Sequence, residues 1–213
     1  WWDYGYWLSI MGNVTTLADN ATINATQIEN IGFIFMADEL QALKMLEKYN
    51  AKHILVFITI GIGQSSTQQT YVANPGGFGD EGKWVWMARI SGQARDRFIE
   101  NGFIDSNSAW IDENQFGTSD NSTGSWVWNS KGKNCTIYKL MSWAKQTWCD
   151  EAGMGYIVPD ETGVQPTYFK QAYFAGLESS FYETAQKYGG IIPVVALYEI
   201  DWQKYYNDTS PAS

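Results

Sequence analysis

The sequence is short of the side chains that most often bind metals or serve as nucleophiles. It has a single histidine, His53, and two cysteines among 213 residues. No Cys, His and carboxylate set stands at ligand spacing, which argues against a zinc centre or a facial triad, and the expected metal content of the chain is none. A Ser/His/Asp triad would have to recruit His53 from the mouth of an apolar strand with no nucleophile motif nearby, so packing or a strand-edge hydrogen bond is its simpler role. Positive charge is also scarce: 14 Lys plus Arg against 23 Asp plus Glu leave a net charge of -9, with no basic stripe. Nucleic acid is therefore excluded as a partner. Long apolar runs are missing too. The longest, Ile54 to Gly63, is half of the roughly twenty residues needed to cross a bilayer and reads as a buried strand. The chain does not begin with Met and shows no charged segment leading into an apolar run, so a signal peptide is not expected; the reading is a soluble piece of a larger protein.

What is present suffices for one sizeable core. With 45% hydrophobic residues, the chain is expected to form a single globular domain over 1–213. Asp38 to Asn50 carries Leu40, Leu43, Leu46 and Tyr49 at helical spacing and feeds the apolar HILVFITIG run, a helix followed by a strand. A long helix is expected from near Asp80 to a stop at Gly102, and another over Gln165 to Tyr188 closed by Gly189 and Gly190. The closing strand, IIPVVALYEIDW, contains Pro193, which points to an edge or to the start of a strand. Ser65 to Gly79 and Asp105 to Lys133, rich in Ser, Gly, Asn, Asp and Thr, read as long loops. The fold class is α/β: a helix-dominated mixed domain with a small buried sheet and long loops. Between Cys135 and Cys149, Ile137, Leu140, Met141, Ala144 and Trp148 recur at helical spacing. A helix of that length separates the two Cα atoms by roughly 21 Å. A disulfide needs less than about 7 Å, so two unpaired thiols are expected.

Composition predicts about 1.8 acceptor triplets of the Asn-X-Ser/Thr kind by chance. Six occur, all with Thr, at Asn13, Asn20, Asn24, Asn121, Asn134 and Asn207. Asn and Thr both favour turns, which accounts for any one triplet; six together point to an extracytoplasmic surface that receives N-glycans.

Two motifs stand out. The chain opens Trp1-Trp2-Asp3-Tyr4-Gly5, three large rings and a carboxylate where small polar residues are usual. An interfacial aromatic anchor is one account of such a cluster. Further on, Asp80, Lys83 and Met87 at i, i+3 and i+7 fall within about a 60° arc of one helix face. Read alone, Asp80 is a helix cap, Lys83 is solvated and Met87 packs in the core.

Together these motifs resemble those of the catalytic subunit of oligosaccharyltransferase, the membrane enzyme that moves an oligosaccharide from a lipid carrier to Asn in Asn-X-Ser/Thr. The WWDYG signature stands intact, and Asp-x-x-Lys-x-x-x-Met matches the family's second motif, a pattern expected by chance only about 0.02 times here. The stretches GNVTTLADNATINATQI, MADELQALKMLEKYNAKHILVF and NCTIYKLMSW extend the resemblance over most of the chain. It implies the soluble C-terminal domain, with the multi-spanning membrane region preceding Trp1; the compact size points to an archaeal single-subunit enzyme.

The resemblance also assigns roles. Trp1, Trp2 and Asp3 would bind the sequon hydroxyl, Asp3 accepting its proton and the indole N–H groups donating to its oxygen, so that an acceptor lacking the hydroxyl leaves polar groups unmatched. Lys83 would form a polar wall or hold Asp3 by charge, and Met87 would touch the threonine γ-methyl, while Tyr4, Gly5 and Asp80 support the motifs. Gly82, in the first turn of its helix, should weaken it by roughly 1 kcal/mol relative to Ala. No catalytic residue is expected in this chain. No cofactor is expected to bind it either: a divalent cation, Mn or Mg, and the lipid-linked oligosaccharide belong to the membrane region. Its partner is an acceptor polypeptide carrying Asn-X-Ser/Thr, on the extracytoplasmic side of a membrane: the cell exterior in archaea or the endoplasmic reticulum lumen in eukaryotes. Two alternatives stay open. With 11 Trp and 16% aromatic content, the chain also suits an extracytoplasmic carbohydrate-binding module, or a structural scaffold beside a membrane.

Overall fold

The structure, a computed structural model, describes residues 1–64, 70–73, 79–108, 112–122, 126–153, 163–176, 178, 183 and 190–210. The chain divides into two compact units, Trp1–Ala51 with Trp84–Ile137 and Lys52–Lys83 with Tyr138–Ser213.

The first unit is mainly helical. After a 3-10 turn over Trp2–Tyr4 come α1 (Gly5–Gly12), α2 (Ala25–Met36) and α3 (Glu39–Lys48). Asn24 caps α2 by accepting the Gln27 N–H, and Asp38 caps α3 by accepting that of Gln41. The capped helices bury Ile31 to Met36 from α2 and Ala42, Leu43, Met45 and Leu46 from α3, although Leu40, counted with the apolar face in the sequence, is exposed. Each such aliphatic or aromatic side chain contributes about 1.5 to 3 kcal/mol on leaving water.

The helix expected from Asp80 to Gly102 is broken. It forms α4 (Asp80–Gln93) and α5 (Arg95–Glu100), with Ala94 at φ -95, ψ 15 between them. Within α4 the Ser91 hydroxyl donates back to the Met87 carbonyl at 2.7 Å, competition with the helix ladder that favours a bend one turn on. The stop is where expected. Gly102 has φ +68, its N–H reaches the Ile99 carbonyl and the Phe103 N–H reaches that of Phe98, a Schellman cap closed by the Phe98–Phe103 ring contact.

The expected loop from Asp105 to Lys133 is partly structured. It holds a 3-10 turn (Glu113–Gln115), an antiparallel pair β3 (Gly117–Ser119) and β4 (Trp126–Trp128), and α6 (Ser130–Asn134). The pair forms because Trp126 and Trp128 pack on Trp84, with ring centroids 4.9 and 4.4 Å away, a gain that composition does not reveal.

The second unit is built on an antiparallel four-stranded sheet. Numbering the sheet strands β1 (His53–Gln64), β2 (Thr70–Ala73), β5 (Phe169–Ala175) and β6 (Gly190–Ile200), the order is β2-β1-β6-β5. Ile54, Val56, Ile58 and Ile60 on β1 lie opposite Tyr198, Ala196, Val194 and Ile192 on β6, all buried on one face. β2 adds a strand inside the expected loop from Ser65 to Gly79. Pro193 pairs with Thr59 of β1, and among the described residues the β5 pairing ends before it, at Ala175 and Val195. His53 is exposed at the start of β1, opposite Glu199.

The helix expected over Gln165 to Tyr188 is corrected in its first half, where Phe169 to Ala175 is strand β5; Glu183 is helical as expected, and Gly190, expected as part of the helix stop, is the first residue of β6. The register with β6 shifts between Gln171 and Tyr173, and this bulge breaks the two-residue alternation that would have betrayed a strand. Most of the remaining span of that expected helix lies outside the described residues.

Helix α7 (Thr136–Ala152) agrees with the sequence: Ile137, Leu140, Met141, Ala144 and Trp148 are all buried. In this unit Tyr198 donates its hydroxyl to the Leu140 carbonyl and the Trp148 indole donates to that of Gly176. Neither Cys135 nor Cys149 is in a disulfide, as the helical spacing leads one to expect, and both are buried. The chain's final described helix, α8 (Trp202–Thr209), is capped by Asp201, which accepts the Lys204 N–H.

Candidate functional site

The Trp-Trp-Asp-Tyr-Gly segment belongs to the first unit and is helical. Trp2, Asp3 and Tyr4 make one 3-10 turn, the Tyr4 N–H bonding the Trp1 carbonyl at 3.2 Å, and Gly5 starts α1. The Trp1 and Trp2 rings meet edge to face at 6.3 Å, and residues 1 to 4 are all half-buried. Three rings and one carboxylate are therefore gathered within a single turn while keeping part of their surface toward solvent.

Gly5 explains how this turn is held. Its φ of -58 is ordinary right-handed helix, so the residue is needed for space: a Cβ there would run into the Ala18 carbonyl oxygen. The segment after α1 folds back on it, with Ser9 and Thr16 hydroxyls 3.0 Å apart and the Gln27 side chain donating to the Leu17 carbonyl. The signature is thus anchored to α2 through the chain that follows it.

The second motif divides between the units. Asp80 and Lys83 are counted with the second unit and Met87 with the first. Asp80, expected as a cap for its own helix, is fully buried and accepts the Phe57 N–H of β1 at 2.9 Å. Its neighbour Glu81 accepts the Thr59 N–H at 2.7 Å. These two amides lie along the side of β1 away from β6, where, among the described residues, β2 pairs with β1 from Gly61 to Gln64. Two carboxylates thus bond the backbone of β1, each such charge-assisted bond contributing about 1.5 to 3 kcal/mol. The close approach requires Gly79, where a Cβ would lie 2.7 Å from the Phe57 carbonyl oxygen.

Burial holds the Glu81 carboxyl above its ordinary range; the Lys145 ammonium and the Thr59 amide pull the other way, and the Asp80 charge adds to the rise. Lys83 is half-buried. Met87 is fully buried, and its carbonyl would be 2.8 Å from a Cβ on Gly32, so α2 and α4 are at closest approach beside it. Sequence reasoning missed Glu81, Gly79 and Gly32. A first-turn acid next to Asp80 was the visible signal for Glu81, while the glycines declare themselves only through their neighbours.

Residues 1–54 match the family model of the STT3/PglB/AglB core domain. The chain is 33% identical over 111 residues to the dolichyl-diphosphooligosaccharide–protein glycosyltransferase subunit stt3 of Schizosaccharomyces pombe, covering 52% of this chain and 13% of that protein. It is 32% identical over 113 residues to the STT3 subunit of Dictyostelium discoideum, covering 53% and 14%. It is 30% identical over 141 residues to the stt-3 subunit of Caenorhabditis elegans, covering 66% and 16%. The matches thus span between 13 and 16% of the length of these relatives.

Proposed function

We propose that this chain is the acceptor-reading part of an enzyme that transfers an oligosaccharide from a lipid-linked donor to Asn in Asn-X-Ser/Thr. The observation that carries the reading is the match of residues 1–54 to the STT3/PglB/AglB core domain, with the half-exposed cluster of Trp1, Trp2 and Asp3 inside it. A hydroxyl that both donates and accepts is matched by one carboxylate and two indole N–H groups, and an acceptor without it leaves them unsatisfied. Lys83 and Met87 are auxiliary determinants in this reading, with Tyr4, Gly5 and Asp80 supporting them.

The transfer itself needs groups beyond this chain. Among the described residues no three His, Cys, Asp or Glu side chains stand together to hold a metal, so no step is assigned here to a Mn or Mg ion. No helix among them is long and apolar enough to cross a membrane. The domain works, in this proposal, on the extracytoplasmic side of the membrane as one part of a longer enzyme.

The test is Asp3→Ala in the full-length enzyme. Losing a charge-assisted bond and leaving the acceptor hydroxyl unmatched should lower kcat/KM for a sequon peptide by about 2 kcal/mol, roughly thirtyfold. A change under about twofold would favour an aromatic anchor instead.

One observation favours the sugar-binding alternative. On α8 the rings of Trp202 and Tyr206 stack at 5.8 Å and 23°, and nearby Lys170, Asp201, Gln203, Lys204, Asn207 and Asp208 line a polar cleft. Binding of free glycan to the isolated chain, abolished by Tyr206→Ala, would support that reading.

A further inference from the structure

We propose that α1 is an interfacial anchor: a pre-formed helix whose outer face of Tyr6, Trp7, Ile10 and Met11 lies in the headgroup zone of a bilayer of zwitterionic lipid. The inference takes from the proposed function only that the chain works beside a membrane. It gives these four residues no part in reading the acceptor.

At about 100° per residue, Tyr6, Ile10, Trp7 and Met11 span an arc of about 140°, and Gly5, Leu8 and Ser9 fall on the opposite side. That inner side is occupied. Gly5 is buried against the Ala18 carbonyl, and Leu8 and Ser9 are half-buried, the Ser9 hydroxyl standing 3.0 Å from that of Thr16. The outer side is open: Trp7, Ile10 and Met11 are 61, 67 and 77% exposed, and the Tyr6 ring, also exposed, meets Trp7 edge to face at 5.8 Å. Val14, just past the helix end, is exposed as well. Large apolar side chains exposed together on one helix face mark an interaction surface. Trp1 and Trp2 are half-buried by contrast, so α1 offers a membrane the firmer hold.

Charge and side-chain chemistry select the occupant. Tyr and Trp combine an apolar ring with one hydrogen-bonding tip, the combination enriched where hydrocarbon meets water, and Ile10 and Met11 supply purely apolar reach between them. The helix carries no charged residue, and the first Lys or Arg of the chain is Lys44. The patch therefore lacks the cations that draw basic helices onto anionic lipid, while the net charge of -9 opposes approach to such a surface. A zwitterionic surface presents neither obstacle. An eight-residue helix is marginal alone in water, but here Gly5 and the returning segment hold α1 in place, so it meets the interface already ordered.

The experiment mixes the chain with phosphatidylcholine vesicles, and with vesicles in which part of that lipid is replaced by phosphatidylglycerol, and reads the bound fraction by flotation. Binding to phosphatidylcholine should be nearly independent of salt, and should weaken at low salt when phosphatidylglycerol is present. Trp7→Ser and Met11→Ser should each lower the partition coefficient by about tenfold, whereas Val127→Ser, at an exposed position of β4, should leave it unchanged. All three variants should keep the wild-type melting temperature. Because both native cysteines are buried, a nitroxide attached to Met11→Cys reports on α1 alone. On vesicles its accessibility to dissolved oxygen should rise relative to that of a water-soluble nickel complex. Absence of binding, binding that requires phosphatidylglycerol, or wild-type binding by Trp7→Ser and Met11→Ser overturns the proposal. A dimer in sedimentation that Trp7→Ser dissociates, without vesicle binding, also overturns it and makes a second copy the occupant. No acceptor peptide enters these measurements, so they stand or fall separately from the Asp3→Ala kinetics.

Discussion

Two glycines in the first unit should respond to alanine with opposite signs. Gly32 lies inside α2, where replacing glycine by alanine ordinarily stabilises a helix by about 0.5 to 1 kcal/mol. Here the new Cβ would stand 2.8 Å from the Met87 carbonyl oxygen and 3.3 Å from the Ser91 Cβ. Neither is the loose end of a flexible side chain, so α2 and α4 must separate, and overpacking of this kind costs about 1 to 3 kcal/mol. The net loss is about 1 to 2 kcal/mol, or a fall of roughly 2 to 8 °C for a chain of this size. Gly12, the last residue of α1, is the control. A Cβ there has only the Val14 Cγ2 nearby, at 3.7 Å, so Gly12→Ala should gain a few tenths of a kcal/mol. Thermal melting followed by circular dichroism, supported by urea titration, reads both. If Gly32→Ala raises the melting temperature as Gly12→Ala does, the helices are not in backbone contact at Met87 and the account of that packing fails.

Three further outcomes follow from named groups. Because the folded state raises the Glu81 pKa above its ordinary value of 4.5, Glu81 contributes stability that is fully present below that value and is lost as pH rises through the folded one; the wild-type stability difference across this window should be absent from Glu81→Gln in pH-dependent urea titrations. Burial pushes the Cys149 thiol up to about 11, so neither it nor the buried Cys135 should react with a thiol reagent at neutral pH until the chain unfolds, a contrast read by stopped labelling in native and denaturing buffer. Met87→Ala should cost about 2 to 5 kcal/mol of stability by opening a cavity, and should also reduce a Thr-over-Ser acceptor preference of about fourfold towards parity; an unchanged ratio with a lowered melting temperature makes Met87 a packing residue only.

The elements legible in the sequence were those whose period is uninterrupted. Helices α3 and α7 carry amphipathic spacing along their length, and β1 is apolar from Ile54 to Ile60, so local pattern and tertiary burial coincide. Strand β5 was hidden because its bulge shifts Tyr173 out of alternation, leaving aromatic residues at intervals that also fit a helix turn. The pair β3 and β4 was hidden for a different reason: its stabilisation comes from Trp84, about forty residues earlier, and no local window contains that contact. At the candidate site, the sequence displays the Trp-Trp-Asp-Tyr-Gly cluster itself and not the packing that supports it. The need for glycine at position 5 depends on the Ala18 carbonyl, a neighbour set by how the chain returns after α1.

The second motif shows why helical spacing is weaker evidence of a shared task than it looks. An arc of about 60° places Asp80, Lys83 and Met87 on one face, but a face fourteen residues long meets different surroundings along its axis. Asp80 faces the backbone amide of Phe57, and the bond there is the kind that holds a strand edge. Met87 faces a packed interior. Asp80→Ala would orphan a strand amide before any acceptor arrived, so lost activity in that variant would report folding at β1 as readily as acceptor binding. Asp3 differs in kind: it is a half-buried carboxylate in a 3-10 turn of half-buried tryptophans, with its Oδ1 oxygen itself buried. Asp3→Ala therefore needs its melting temperature read beside its acceptor kinetics, because a loss of both would report folding of the turn and a loss of turnover alone would report recognition.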